Sequence, residues 1–151
     1  MKKTKLIFIA LVLLLIFVSA CSQKEDLDTA NARKLIEYNK QKFDSLPLTG
    51  QVVNGVREIK LTAYQYDWEP ESIVVKKGEK IKITIESRDV PHGFEIEGIN
   101  IPGWDPDKLI VKGQKAEAEF TAELPGAWDI VCTGYCGPGH AGMKRKFIVR
   151  G

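Results

Sequence analysis

The sequence predicts an all-β fold, a Greek-key β-sandwich of roughly 95 residues spanning 56–151, on three observations. From Val56 onward, apolar residues alternate with polar ones in short runs. The runs recur about every 10 residues with turn signals between them, the rhythm of a two-sheet sandwich. No segment repeats at a fixed period, which argues against a solenoid.

The first twenty residues, 1–20, read as an export signal that precedes the fold. Lys2, Lys3 and Lys5 form a basic start, and Leu6 to Val18 is almost unbroken hydrocarbon. The run is shorter than the roughly 20 residues a membrane-spanning helix needs, and it fits the apolar core of a signal peptide. Val18-Ser19-Ala20-Cys21 then resembles a bacterial lipobox. That resemblance implies that Cys21 is the lipidated first residue of the mature protein. The alternative is a plain membrane anchor that happens to end at a cysteine. The expected location is the outer face of the cytoplasmic membrane, or the periplasmic side, with lipid chains supplying the anchorage.

Residues 21–55 read as a tether. Asp28 or Thr29 is placed to cap a short helix over Ala30 to Phe43, with Leu35, Ile36 and Phe43 as a thin apolar stripe. Pro47, Gly50 and Gly55 then break the chain, and the segment carries no chemistry of its own.

The strands follow in order. Val56, Ile59 and Leu61 open the first run, and Ile73 to Val75 form the second. Ile81, Ile83 and Ile85 alternate with Lys82, Thr84 and Glu86, a clear period of two. Phe94 and Ile96 come next, then Ala116, Ala118 and Phe120. Trp128, Ile130 and Cys132 follow the Pro125-Gly126 turn, and Phe147 to Val149 closes the set. Trp104 and Pro106 fall in an irregular loop.

Charge excludes one class of function. The chain has 22 Lys+Arg and 20 Asp+Glu, and without the three leader lysines the balance is 19 against 20. A body so nearly neutral is not that of a generic nucleic-acid binder, so no nucleic-acid partner is expected.

The chemistry concentrates near the C-terminal end. Cys132, Cys136, His140 and Met143 stand in a C-x3-C-x3-H-x2-M pattern, and His92 is the other histidine of the chain. Two thiols, two imidazoles and a thioether are soft to borderline donors that suit copper in both of its oxidation states. A mononuclear blue-copper site needs one cysteine, and the second cysteine allows two thiolates to bridge two metal ions. Gly134, Gly137, Gly139 and Gly142 let the loop close tightly. Two other readings use the same residues. A Cys132–Cys136 disulfide suits an exported protein but leaves His140 and Met143 without a role. A Cys2His2 zinc site has the right donors, but its histidines would be 48 residues apart, far from the usual spacing.

The blocks DVPHGFEIEGINI (89–101) and CTGYCGPGHAGM (132–143) make the resemblance specific. The segment from Val56 to Val149 resembles the cupredoxin domain of cytochrome c oxidase subunit II, the binuclear Cu-A domain, in the form found in small ba-type oxidases. Nitrous oxide reductase carries a related site. The resemblance implies two copper ions bridged by Cys132 and Cys136, with His92 and His140 each binding one. It further implies Met143 as a weak ligand of one copper and the Gly134 carbonyl as a weak ligand of the other.

The chain departs from that family in three ways. An acid that serves a neighbouring magnesium site in many subunit II proteins is replaced by Gly134. The one or two membrane helices that dock subunit II on its catalytic partner are replaced by the leader and Cys21. A basic run, Lys144-Arg145-Lys146, follows the methionine and reads either as a solvated strand end or as a dock for an acidic redox partner. Tyr64, Tyr66 and Trp68 read either as strand packing or as the aromatic patch through which subunit II receives electrons.

The expected function is one-electron transfer in a respiratory chain, by an electron-transfer module that is either a subunit of a haem-copper oxidase, and so part of an enzyme, or a free-standing carrier. Its donor would be a protein such as cytochrome c, and its acceptor a haem-copper oxidase subunit I or another reductase. A free-standing copper storage or delivery protein is the alternative.

Overall fold

The computed structural model describes residues 29–38 and 41–151, so the leader and Cys21 lie outside the described residues. The chain divides into two units at Lys42/Phe43. In the first, 29–38 and 41–42 are helical. Among the described residues no helix is long and apolar enough to cross a membrane.

The second unit, Phe43–Gly151, is a two-sheet sandwich. Its strands are β1 (Gln51–Val53), β2 (Val56–Tyr64), β3 (Asp67–Glu69), β4 (Ser72–Lys76), β5 (Lys80–Ser87), β6 (Glu95–Ile96), β7 (Lys115–Thr121), β8 (Gly126–Val131) and β9 (Lys144–Arg150). One sheet runs β1-β2-β5-β7 with β3 also on β2, and the other runs β4-β9-β8-β6. β2 and β5 are parallel, as are β4 and β9, and the remaining pairs are antiparallel. The expected alternation holds. Ile81, Ile83 and Ile85 turn inward from β5, and Ala116, Ala118 and Phe120 do so from β7. They meet Ile73, Val75, Ile130, Phe147 and Val149 of the other sheet in one core. Each large aliphatic side chain so buried is worth about 1.5–3 kcal/mol.

The sheet begins at Gln51, inside the stretch that the sequence reading gave to the tether. β1 and β2 are joined through Asn54 and Gly55, both at positive φ, and the register closes Val53 against Val56. This is an Asn-Gly hairpin turn, so Gly55 joins two paired strands instead of breaking the chain.

The strand directions gather several loops at one end. β2 and β5 run parallel, so the turns after Tyr64 and Ser87 lie at the same end of their sheet. β8 leads out to Cys132 and β9 returns from Met143, so the loop 132–143 hangs from neighbouring strand ends. A 3-10 turn, His140–Gly142, sits inside that loop. At the other end of β2, Arg57 points inward and is buried. It donates to both oxygens of Glu79 at 2.7 Å and to the carbonyls of Thr49 (3.1 Å) and Gly50 (3.3 Å). That bidentate pair pins the segment before β1 to the turn before β5.

Candidate metal centre

His92 follows Pro91 on the segment between β5 and β6, and its backbone is held on Ile110 by hydrogen bonds of 3.1 and 2.8 Å. The side chain is fully buried. Its Nε2 is 2.8 Å from Asp89 Oδ1, and its Nδ1 is 3.6 Å from Cys132 Sγ. Asp89 is fixed in turn, because Gln65 N and Val90 N each donate to its carboxylate at 2.7 Å. A carboxylate on one ring nitrogen settles which nitrogen faces the cavity.

Cys132 and Cys136 are both buried and both free. The donor atoms of His92, Cys132 and Cys136 all lie within 4.8 Å of one another. Cys132 Sγ is 3.0 Å from the Gly134 carbonyl oxygen. Cys136 Sγ is 3.7 Å from His140 Nδ1 and 3.7 Å from Met143 Sδ. All six positions singled out in 56–151, namely His92, Cys132, Gly134, Cys136, His140 and Met143, thus converge on one pair of thiols, with one imidazole beside each. The seventh, Cys21, lies outside the described residues. Free thiols with imidazole and thioether partners fit copper, and the unbonded sulfurs do not fit the disulfide reading.

Electrostatics divide the thiols. Burial opposes a charge on Cys132, but hydrogen bonds from His92 and from the Gly93 N–H outweigh it and bring its pKa below the ordinary thiol value. Cys136 is pushed up to about 11 by burial and by the neighbouring Cys132 charge. Burial also opposes a charge on His92, yet Cys132 and Asp89 together raise its pKa.

The residues around the donors explain the glycines. A Cβ at Gly93 would collide with Thr133 Oγ1 and stand 2.6 Å from Gly134 N, so only glycine lets the His92 segment approach the thiol loop. The Tyr66 ring lies against Gly137 and Gly139, where a side chain would strike it. The three aromatics of the 64–68 stretch therefore do not form one patch. Trp68 is buried beneath the centre, edge-on to Phe94 at 6.0 Å and tilted to His92 at 6.5 Å. Tyr64 is half-buried under Arg88. Tyr66 covers the loop from outside at 38% exposure. Lys144, Arg145 and Lys146 are each paired within the molecule, with Glu97 (3.7 Å), Asp67 and Asp129 (2.6 Å). This is the solvated strand-end reading of the basic run, with its charges balanced internally.

Sequence reasoning missed Asp89, Gln65 and Gly93 as parts of the centre. Asp89 and Gly93 had a signal, since they flank His92 in the same short block.

A cupredoxin-like domain model matches residues 8–143. The chain belongs to the cupredoxin-like domain family. This cupredoxin is 34% identical over 88 residues to cytochrome c oxidase subunit 2 of Thermus thermophilus, covering 58% of the chain and 62% of that relative. It is 35% identical over 103 residues to quinol oxidase subunit 2 of Sulfolobus acidocaldarius, covering 63% of the chain and 55% of the relative. The chain thus spans less than two thirds of the length of either relative. A chain in the cryo-EM structure of a heme-copper terminal oxidase dimer shares the fold, with a TM-score of 0.54 at 22% identity over 85% of this chain and 99% of that one.

Proposed function

We propose that this cupredoxin is a Cu-A-type electron-transfer module that holds two copper ions between Cys132 and Cys136. The observation that carries the reading is the pairing of donors. Each thiol has its own imidazole, His92 beside Cys132 and His140 beside Cys136, at 3.6 and 3.7 Å. A mononuclear site would leave one such pair unused. Bound copper supplies one-electron oxidation and reduction.

The chain's own residues supply the rest. Cys132, Cys136, His92 and His140 would hold the copper, with Met143 beside Cys136 and the Gly134 carbonyl beside Cys132 as further donors. Asp89 keeps His92 Nδ1 aimed inward. Trp68, Phe94 and Trp104 pack edge-on in a row beneath the centre and keep water from that side. Such a rigid shell limits how far the ligands move between oxidation states.

The partner-facing side is the exposed rim of the same loops, where Tyr66, Leu109 and Tyr135 stand in solvent. A donor such as cytochrome c and an acceptor such as haem-copper oxidase subunit I, or another reductase, fit the relatedness to oxidase subunits 2. The centre then serves an exported protein, held by lipid at Cys21. A Cys21→Ala chain should lose lipid and membrane attachment while keeping the sandwich, and membrane binding that persists would refute the anchor.

The deciding experiment is copper reconstitution of the full chain with metal analysis and electron paramagnetic resonance. Two coppers per chain with one spin shared between two nuclei are expected. Cys136→Ser should abolish that signal, while Met143→Leu should keep two coppers with a shifted potential. One copper per chain, or a two-copper signal surviving in Cys136→Ser, would overturn the reading.

A further inference from the structure

We propose that Gln65 is a positioning residue that ties the two ligand-bearing loops together. The inference rests on the two-copper reading of the centre for its redox consequence, but its geometry is independent of metal. Gln65 stands in the turn between β2 and β3 and makes two bonds in different directions. Its backbone N–H donates to Asp89 Oδ2 at 2.7 Å, and Asp89 Oδ1 engages His92 Nε2 at 2.8 Å. Its side-chain Nε2 donates to the Cys136 carbonyl at 2.5 Å, across 71 residues of sequence. One residue therefore touches the carboxylate that aims one imidazole and the peptide that follows the second thiol.

That peptide matters because the chain turns there. From Gly137 to Met143 the loop closes through His140 N to Gly137 O and Met143 N to His140 O, each at 3.0 Å. Fixing the Cys136 carbonyl sets the direction in which this turn leaves the thiol, and so where His140 and Met143 fall around Cys136. The loop is pressed onto Gln65 and its neighbour. A Cβ at Gly137 would lie 2.6 Å from Tyr66 Oη and 3.0 Å from Gln65 Nε2.

The bond needs an amide at this position. A glutamate of the same length has no donor when ionised and would bring a negative charge against a carbonyl oxygen. An alanine leaves the carbonyl to water. The outer hydrogen bonds of a metal site orient its ligands in this way, and their loss shows in metal retention before it shows in the fold.

The test compares wild type, Gln65→Ala and Gln65→Glu as full chains. In metal-free protein, amide hydrogen exchange is followed at His140, Gly142 and Met143, whose N–H groups are bonded within the loop. In copper-loaded protein, the rate of copper loss to a chelator and the midpoint potential are measured. Loop exchange and copper loss should both rise about fivefold in each variant, the equivalent of the roughly 1 kcal/mol carried by one such hydrogen bond. The potential should shift, and the thermal midpoint of the metal-free chain should fall by no more than the few degrees that the loss of one such hydrogen bond brings. Wild-type exchange and copper loss in both variants would overturn the proposal, as would a fall in thermal midpoint with loop exchange unaltered. If wild type itself takes up one copper, the two-copper reading fails, and the metal-free exchange decides the role of Gln65 by itself.

Discussion

Asp89 Oδ1 and His92 Nε2 are 2.8 Å apart across a single turn, and this contact leaves Nδ1 as the ring nitrogen that faces Cys132. The carboxylate is itself immobilised by two backbone N–H donors, from Gln65 and Val90. The imidazole is thus oriented before any metal arrives. Asp89→Ala removes the orientation and leaves the ring free to flip. Copper affinity should fall 10- to 100-fold, the usual cost of losing a partner of this kind. Competition with a chelator of known strength measures it, and an unchanged affinity would show that burial alone holds the ring.

Copper uptake should depend on pH, because thiols must lose protons to bind metal. Cys136 holds its proton up to about 11, through burial and the adjacent Cys132 charge. At neutral pH the free centre therefore keeps at least one thiol proton that binding must expel. Affinity should rise close to tenfold per pH unit for each proton released, throughout the range below about 11. Titration in weakly buffered solution counts the protons directly. Affinity that stays flat between pH 6 and 8, measured at roughly those two points, would mean that Cys136 is not a ligand.

Much of this was legible in the sequence, and the parts that were not share a cause. Ile81, Ile83 and Ile85 announced β5 because one face of that strand is buried and the other is wet. The ligand spacing was legible because the loop 132–143 carries four donors within twelve residues. β1 was not legible by alternation, since Gln51, Val52 and Val53 are all exposed and its pairing depends on the hairpin turn beside it. Gln65 was not legible at all. Its role comes from the Cys136 carbonyl 71 residues away, a contact that exists only once β2, β5 and β8 have stacked. Tyr64, Tyr66 and Trp68 looked like one group because they are close in sequence. The turn between β2 and β3 sends them to different places.

Arg57 and Glu79 should anchor stability at the end of the sandwich away from the thiols. The pair is bidentate, and the arginine is buried. Glu79→Gln leaves the guanidinium without its charge partner, and losing a charge-assisted hydrogen bond at such a part-buried pair costs about 1–3 kcal/mol. Hydrogen bonding to Arg57 holds the Glu79 pKa below its ordinary value, against the opposing effect of burial. Its folded pKa thus lies below its unfolded one. The unfolded chain then takes up a proton first as pH falls, so the pair's contribution is intact at neutral pH. It is lost in the acid range as pH drops through the folded pKa. Denaturant titrations of wild type and Glu79→Gln should converge at low pH. A constant difference down to acid pH would contradict the assignment.

Gly93 and Gly134 lie against each other beside Cys132, yet alanine should be tolerated very differently at the two. At Gly134 the new Cβ meets Leu109 Cδ2, the free end of a half-exposed side chain that can swing away, and then Gly93 N at 3.0 Å. At Gly93 it meets Thr133 Oγ1 and, at 2.6 Å, the backbone nitrogen of Gly134. Thr133 cannot easily yield, because its hydroxyl donates to the Pro106 carbonyl at 2.5 Å. Gly93 also lends its N–H to Cys132 Sγ, so any shift of this segment reaches the thiol. Gly93→Ala should cost about 1–3 kcal/mol, the range for forcing extra volume into a packed site, and should alter the copper absorption. Gly134→Ala should cost less than about 1 kcal/mol and keep the spectrum. Removing the hydroxyl with Thr133→Val would not relieve the clash, since a methyl takes its place, whereas Thr133→Gly would relieve part of it. The Gly93→Ala/Thr133→Gly double variant should therefore recover stability relative to the sum of the two single changes. Thermal midpoints and visible spectra of the four proteins decide the matter, and strict additivity would show that the backbone contact with Gly134, not the threonine, excludes a side chain at 93.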